Sequence, residues 1–262
     1  MFSYLKTTAA AAGFAALLAV AAGAAPQSLA QDATFDAAER EAIGEIVREY
    51  LLENPEIMRE VFAELERREV AAQEARQREA LTESAELLFR SPDDVVLGNP
   101  EGDVTLVEFF DYNCGFCKRA LGDVMAMIEK DPNLRVVLKD FPVLGPGSLG
   151  AARVGIAAFE QMDAEEAARF HMDVLNSRGQ IDADRALQVA EEMGLDMARL
   201  DEDMKSERVR EIITANVELA DKLGLTGTPA WVVGDGVIFG AVGEERLTQA
   251  VENTRACGSP SC

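Results

Sequence analysis

The chain has 262 residues, a formal net charge of -22, 48% hydrophobic content and 6% aromatic content. That length and apolar fraction suit one domain of ordinary size plus something smaller, and they exclude wholesale disorder. So acidic a surface disfavours anionic membranes, and no nucleic-acid partner is expected.

Residues 1–30 read as a signal peptide. Lys6 supplies the positive start, residues 9–22 form an apolar run without charge, and Ser28-Leu29-Ala30 fits the small-x-small cleavage pattern. The run is shorter than the ~20 residues that span a bilayer, so cleavage near Ala30 and export are expected. Residues 31–91 then form a helical N-terminal region. Asp36 with Glu39 makes a capping-box pattern, and Ile43, Ile46, Val47, Tyr50 and Leu51 recur at helical spacing. Asn54-Pro55 stops this helix and starts the next, striped by Ile57, Met58, Val61, Phe62 and Leu65. Residues 66–83 have few large apolar side chains and predict a long, solvated helix. These stripes need a partner. The reading preferred is a homo-oligomer formed through residues 36–85; the alternative is a hairpin folded back on the main domain.

Ser91-Pro92-Asp93-Asp94 marks the boundary of a second region, residues 92–256. Its pattern predicts strands at 95–97 and 104–110, a helix at 114–130, a strand at 134–138 and a helical block at about 148–223. Strands at 230–233 and 237–239 follow, joined by a Gly234-Asp235-Gly236 hairpin, and a helix at 244–254 ends the region. This order implies an α/β fold with a mixed sheet covered by helices.

Of four cysteines, two form a C-x-x-C at Cys114 and Cys117, where the strand at 104–110 runs into a helix. The first turn of a helix has unpaired N–H groups and a partial positive charge, and both stabilise a thiolate. Cys117 lies one turn on, on the same face. A thiolate at Cys114 can attack a disulfide, and Cys117 can then release the product. Zinc is the competing reading. It needs four ligands, the spacing of Cys257 and Cys262 is wide for a second pair, and His171 is the single histidine. No metal is therefore expected. Cys257 and Cys262 flank Gly-Ser-Pro-Ser in a tail at 257–262, read as a structural disulfide with metal capture as the alternative.

The run Val107-Glu108-Phe109-Phe110-Asp111-Tyr112-Asn113-Cys114-Gly115-Phe116-Cys117, with Gly227-Thr228-Pro229-Ala230 far downstream, resembles the DsbA-like branch of the thioredoxin superfamily. The resemblance covers about residues 92–255 and implies a thioredoxin fold with a helical insertion at 148–223. It also implies a cis Thr228–Pro229 bond facing the redox pair, with the Thr228 backbone placed to pair with a substrate strand. In such proteins an acid at the position of Glu108 lies under the active site and tunes proton transfer. Lys139 is a candidate partner for it. Gly115 and Phe116 set the redox poise, and an aromatic there with Thr before the proline resembles the disulfide isomerases. Tyr50-Leu51-Leu52-Glu53-Asn54-Pro55-Glu56 resembles the leader domain of the subgroup related to suppressor-of-copper-sensitivity C proteins, where that region drives oligomerisation.

The resemblance implies a periplasmic protein disulfide oxidoreductase/isomerase, with isomerase duty slightly ahead of oxidase duty. Its partners would be exported proteins with cysteines and a membrane redox partner. It would need no cofactor beyond the redox-active Cys114–Cys117 disulfide. The alternative is a copper-binding or copper-resistance protein using the same thiols as ligands. His171 reads as structural or as a surface residue.

Overall fold

The computed structural model describes residues 35–262. The expected signal peptide and cleavage near Ala30 fall outside the described residues. Two compact units divide what is described, one reaching Val61 and one spanning Phe62–Cys262.

In the first unit, helix α1 (Ala37–Glu53) opens on the expected capping box. The Asp36 carboxylate accepts the Glu39 N–H at 2.9 Å and Glu39 accepts the Asp36 N–H at 2.8 Å. No residue of α1 is buried, and Ile46, Val47 and Tyr50 are exposed. Helix α2 (Glu56–Glu83) starts here and continues into the second unit.

The last turns of α2 are not solvated as its composition suggests. Ala80 and Leu81 are buried, and Gln77 Nε2 donates to the Leu223 carbonyl at 2.9 Å. With Leu88 of the short helix α3 (Ala85–Phe89), they join a core that includes Val107, Phe109, Val137, Leu219 and Val232. Two apolar positions and one side-chain hydrogen bond seat the end of an otherwise polar helix.

The second unit is built on a five-stranded sheet, among the described residues, of order β1-β3-β2-β4-β5. The strands are β1 (Val95–Gly98), β2 (Val104–Phe110), β3 (Leu134–Asp140), β4 (Ala230–Val233) and β5 (Gly236–Phe239). β2 and β3 run parallel and the other pairings are antiparallel. Helix α4 (Gly115–Lys130) makes the crossover between the parallel pair. Alternation along β2 sends Leu106, Glu108 and Phe110 to one face and Val107 and Phe109 to the other. The first face meets α4, α10 (Glu244–Cys257) and the helical insertion, and carries the larger core. The second meets α3 and the ends of α2 and α9 (Glu207–Lys222).

The insertion is α5 (Pro146–Phe159), α6 (Ala164–Leu175), α7 (Ala183–Glu192), α8 (Met197–Asp203) and α9 (Glu207–Lys222). Two of its breaks fall at glycines: Gly179 and Gly194 have φ of 83° and 82°, a region other residues enter at a cost. A mixed sheet interrupted between β3 and β4 by a helical block is the thioredoxin fold in its DsbA-like form, with a helical region ahead of it.

Candidate active site

β2 delivers the chain into a turn, Asp111-Tyr112-Asn113, that hands over to α4. Cys114 is the N-cap of that helix. Its N–H donates to the Asp111 carbonyl at 2.9 Å, and the Cys117 N–H donates to Cys114 Sγ at 3.4 Å. The sulfur thus occupies the place a serine or aspartate oxygen takes at an ordinary N-cap, where donors and the helix dipole favour negative charge. Its other contact is the Thr228 carbonyl, 3.1 Å away, to which the thiol donates. Thr228–Pro229 is cis and leads directly into β4, so the central strands β2 and β4 present the two halves of the site side by side.

Cys117 is fully buried beneath Cys114, and both are free thiols. Burial pushes the Cys117 thiol well up from its ordinary range, and the nearby Glu108 adds to the effect. Gly115 is exposed with open space around it. Phe116 is 56% exposed and lies under the Arg119 guanidinium, 4.3 Å from the ring centre.

Glu108 is buried at 3% exposure, on the face of β2 that meets α4. Its Oε1 has no hydrogen-bond partner, and burial raises its pKa from 4.5 to about 8. Lys139 is not its partner. In the parallel register Lys139 stands opposite Phe109 while Glu108 stands opposite Leu138, so Lys139 points to the other face of the sheet. There its Nζ lies 2.7 Å from both oxygens of Asp94, a buried ion pair. His171 is buried, edge-on to Phe110 at 4.6 Å, and burial lowers its pKa to about 3, so it is neutral. Met125 and Met127 pack in the core around α4. Cys257 and Cys262 are joined as a disulfide.

Two site residues, part of the quoted run, carried no role of their own in the sequence. Asp111 accepts the Asn113 N–H at 2.8 Å through one carboxylate oxygen and the Leu144 N–H at 2.9 Å through the other. Asn113 reaches the insertion: its amide donates to Ser148 Oγ at 3.0 Å and to the Ile181 carbonyl at 2.7 Å, and its oxygen accepts the Ile181 N–H at 2.8 Å. Together they tie the cysteine turn to the loop after β3 and to the segment before α7. The available signal was an Asp-x-Asn directly before a helix cap, a pattern of side chains that bond nearby backbone. Among the described residues no group of three or more His, Cys, Asp or Glu side chains is placed to hold a metal ion.

A dithiol at a strand-to-helix junction, facing a cis-proline from the adjoining strand, defines the fold of a DsbA-like thiol-disulfide oxidoreductase. Comparison with known proteins agrees. The family described as DSBA-like thioredoxin domain matches residues 105–252, and this chain belongs to it. The family described as copper resistance protein ScsC N-terminal domain matches residues 39–72.

Among solved structures, a thioredoxin-like oxidoreductase from Silicibacter pomeroyi is 42% identical, over 66% of this chain and 98% of that one, with a TM-score of 0.62. ScsC of Proteus mirabilis in a transitional conformation is 25% identical over 85% of this chain and 99% of that one, TM-score 0.62. A periplasmic thioredoxin-like protein from Salmonella enterica serovar Typhimurium is 27% identical over 66% and 95%, TM-score 0.57. Curated relatives include Na(+)/H(+) antiporter NhaA 1 of Salinispora arenicola, 30% identical over 165 residues, which are 62% of this chain and 25% of that protein. The chain spans about a quarter of the length of the curated relatives it matches. No described helix is long and apolar enough to cross a membrane.

Proposed function

We propose that this chain is a periplasmic thiol:disulfide oxidoreductase that exchanges disulfides with exported proteins through Cys114 and Cys117, with isomerase duty ahead of oxidase duty. The observation that carries the reading is the position of Cys114 Sγ. It caps α4, accepts the Cys117 N–H and lies 3.1 Å from the Thr228 carbonyl, with a second thiol buried under it. The Cys114 thiolate attacks a substrate disulfide to give a mixed disulfide. Cys117 then attacks Cys114, and the substrate leaves as a thiolate. An extended substrate segment pairs with the backbone at Thr228. Glu108, once ionised, takes the proton that Cys117 must lose. The exchange needs no cofactor beyond the Cys114–Cys117 disulfide, and a membrane redox partner resets the pair.

Two features support the isomerase preference. The aromatic Phe116 stands between the cysteines, and the uncovered stripe of α1 suits a homo-oligomer that turns several sites toward one substrate. The likeness to a periplasmic protein supports the location. The test pairs reactivation of scrambled ribonuclease with oxidation of reduced ribonuclease, for the intact chain and for one lacking residues 36–61. Reactivation by the intact chain, weakened by the deletion and abolished by Cys114→Ala, is expected. Oxidation without reshuffling would overturn the isomerase preference, and no Cys114-dependent exchange would overturn the whole reading.

The match of residues 39–72 to a domain described from a copper resistance protein favours a second reading, in which the same thiols bind copper. Titrating the reduced chain with Cu(I) against a competing chelator separates the two. Tight binding lost in Cys114→Ala, with no ribonuclease reactivation, would favour copper.

A further inference from the structure

The exchange described above uses one cysteine pair and leaves the other idle. Cys257 lies in the last turn of α10, and Cys262 lies in irregular chain five residues on. Both are exposed, and they form a disulfide. A loop this short restricts the unfolded chain less than a longer one would, so the bond contributes only at the low end of what disulfides add to stability. Nor is it needed to seat the tail. Asn253 Nδ2 donates to the Pro260 carbonyl at 2.9 Å, the Gly258 N–H donates to the Thr254 carbonyl at 2.8 Å, and the Pro260 ring fills the space where Gly236 lacks a Cβ. Exposed disulfides that do little structural work are the ones open to thiol attack.

Its place in the fold decides which thiol can reach it. Arg255 is bound to Asp103, ahead of β2, and to Asp131, the C-cap of α4. Cys114 caps the opposite end of that 16-residue helix, which puts it about 24 Å along the helix axis. The two pairs of one chain therefore sit at opposite ends of the unit and meet only between copies.

We propose that Cys257–Cys262 is a second exchange centre, which passes its disulfide to the Cys114/Cys117 dithiol of another copy of this chain. The inference rests on the exchange reading of Cys114 and Cys117. A site that takes extended chain beside Thr228 meets Cys262, which is outside the helix, rather than Cys257. The Cys114 thiolate of one copy attacks Cys262 Sγ of the other. The Cys114–Cys262 bond forms, the Cys257–Cys262 bond breaks, and Cys257 leaves as a thiolate that takes up a proton. Cys117 then gives up its proton and attacks Cys114. The Cys114–Cys117 bond forms, and Cys262 leaves and is protonated. Counting the proton that Cys114 gave to solvent on ionising, two electrons and two protons pass from the active-site dithiol to the tail.

The test mixes two full-length proteins. One carries Cys114→Ala and Cys117→Ala with its tail oxidised. The other carries Cys257→Ser and Cys262→Ser with its active site reduced. After acid quenching and maleimide labelling, mass spectrometry is expected to find both tail thiols newly labelled and the active-site pair protected in equal amount. The mixture started from a reduced tail and an oxidised active site should reach the same final ratio. Adding Cys117→Ala to the second protein should trap a dimer linked from Cys114 to Cys262. A link to Cys257 instead would overturn the order of attack. An untouched tail, while the same reduced protein reduces a disulfide-bonded peptide, would overturn the inference and leave exchange at Cys114 standing. Reduction of neither would overturn both.

Discussion

Helices α1 and α4 are 17 and 16 residues long, and both carry apolar side chains at helical spacing. On α4 that stripe includes Cys117, Ala120, Leu121, Val124 and Met127, and every one is buried in the core on the first face of the sheet. On α1 no residue is buried, and Ile46 and Tyr50 are 64% and 57% exposed. Burying a large aliphatic side chain stabilises a fold by about 1.5–3 kcal/mol, so α4 is held by its sheet. In one copy of the chain α1 has its capping box and little else. The pair teaches that spacing identifies the face that requires cover, while the supplier of that cover is decided by topology. The same contrast divides the cysteines: Cys114 and Cys117, at the start of α4, are buried, and Cys257 and Cys262, at the end of α10 and beyond it, are exposed.

The contrast breaks first on α4. Val124 is 1% exposed in the middle of its buried face. Val124→Asp puts an unpaired charge into that core, which should cost on the order of 5 kcal/mol. A thermal melt followed by circular dichroism should show either no folded second unit or a midpoint lowered by roughly 10 °C or more. A drop of only a degree or two would mean that this face of α4 is not core.

A smaller effect sharpens the buried side. Burial raises the Glu108 carboxyl from the ordinary 4.5 to about 8, so the folded chain binds this proton more tightly than the unfolded chain does. The stability contributed by that proton is full below pH 4.5, declines as pH rises, and is lost as pH passes 8. The decline amounts to a few kcal/mol, at about 1.4 kcal/mol per pKa unit. Glu108→Gln, which has no proton to lose there, should flatten that part of the curve. Urea unfolding of both proteins at pH 5, 7 and 8.5 reads the difference directly. Parallel curves would mean that Glu108 reaches water.

Sequence legibility followed the same divide. The strand-to-helix C-x-x-C, the proline ahead of β4 and the acid in β2 could be read because each is local: a motif, a dipeptide, a charge in an apolar run. Helix and strand order came from periodicity, which is also local. Partners could not be read that way. Lys139 is one residue from the position that would have faced Glu108, and the parity of β2–β3 pairing sent it to Asp94 instead. Asn113 holds residues 35 and 68 positions away, a contact set by how the insertion folds back. The end of α2 looked polar because its apolar residues are few, and the core it shares with Leu223 and Leu225, distant in the chain, is what buries Ala80 and Leu81.

The least disruptive change tests the exposed side. Val47→Glu with Tyr50→Glu alters two positions that are 50% and 57% exposed on α1. In one copy of the chain nothing is unpacked, so the melt of the second unit should move by less than about 0.5 kcal/mol per site. If copies cover one another through this face, each carboxylate would be placed in an apolar interface, where an unpaired charge is not tolerated. Sedimentation equilibrium should then show a self-associating parent and a monomeric variant. Scrambled-ribonuclease reactivation should fall several-fold in the variant, while reduction of a small disulfide peptide at Cys114 stays level. An unchanged mass would mean that the stripe of α1 is covered by something other than a second copy, and the isomerase preference would lose the argument that several sites share one substrate.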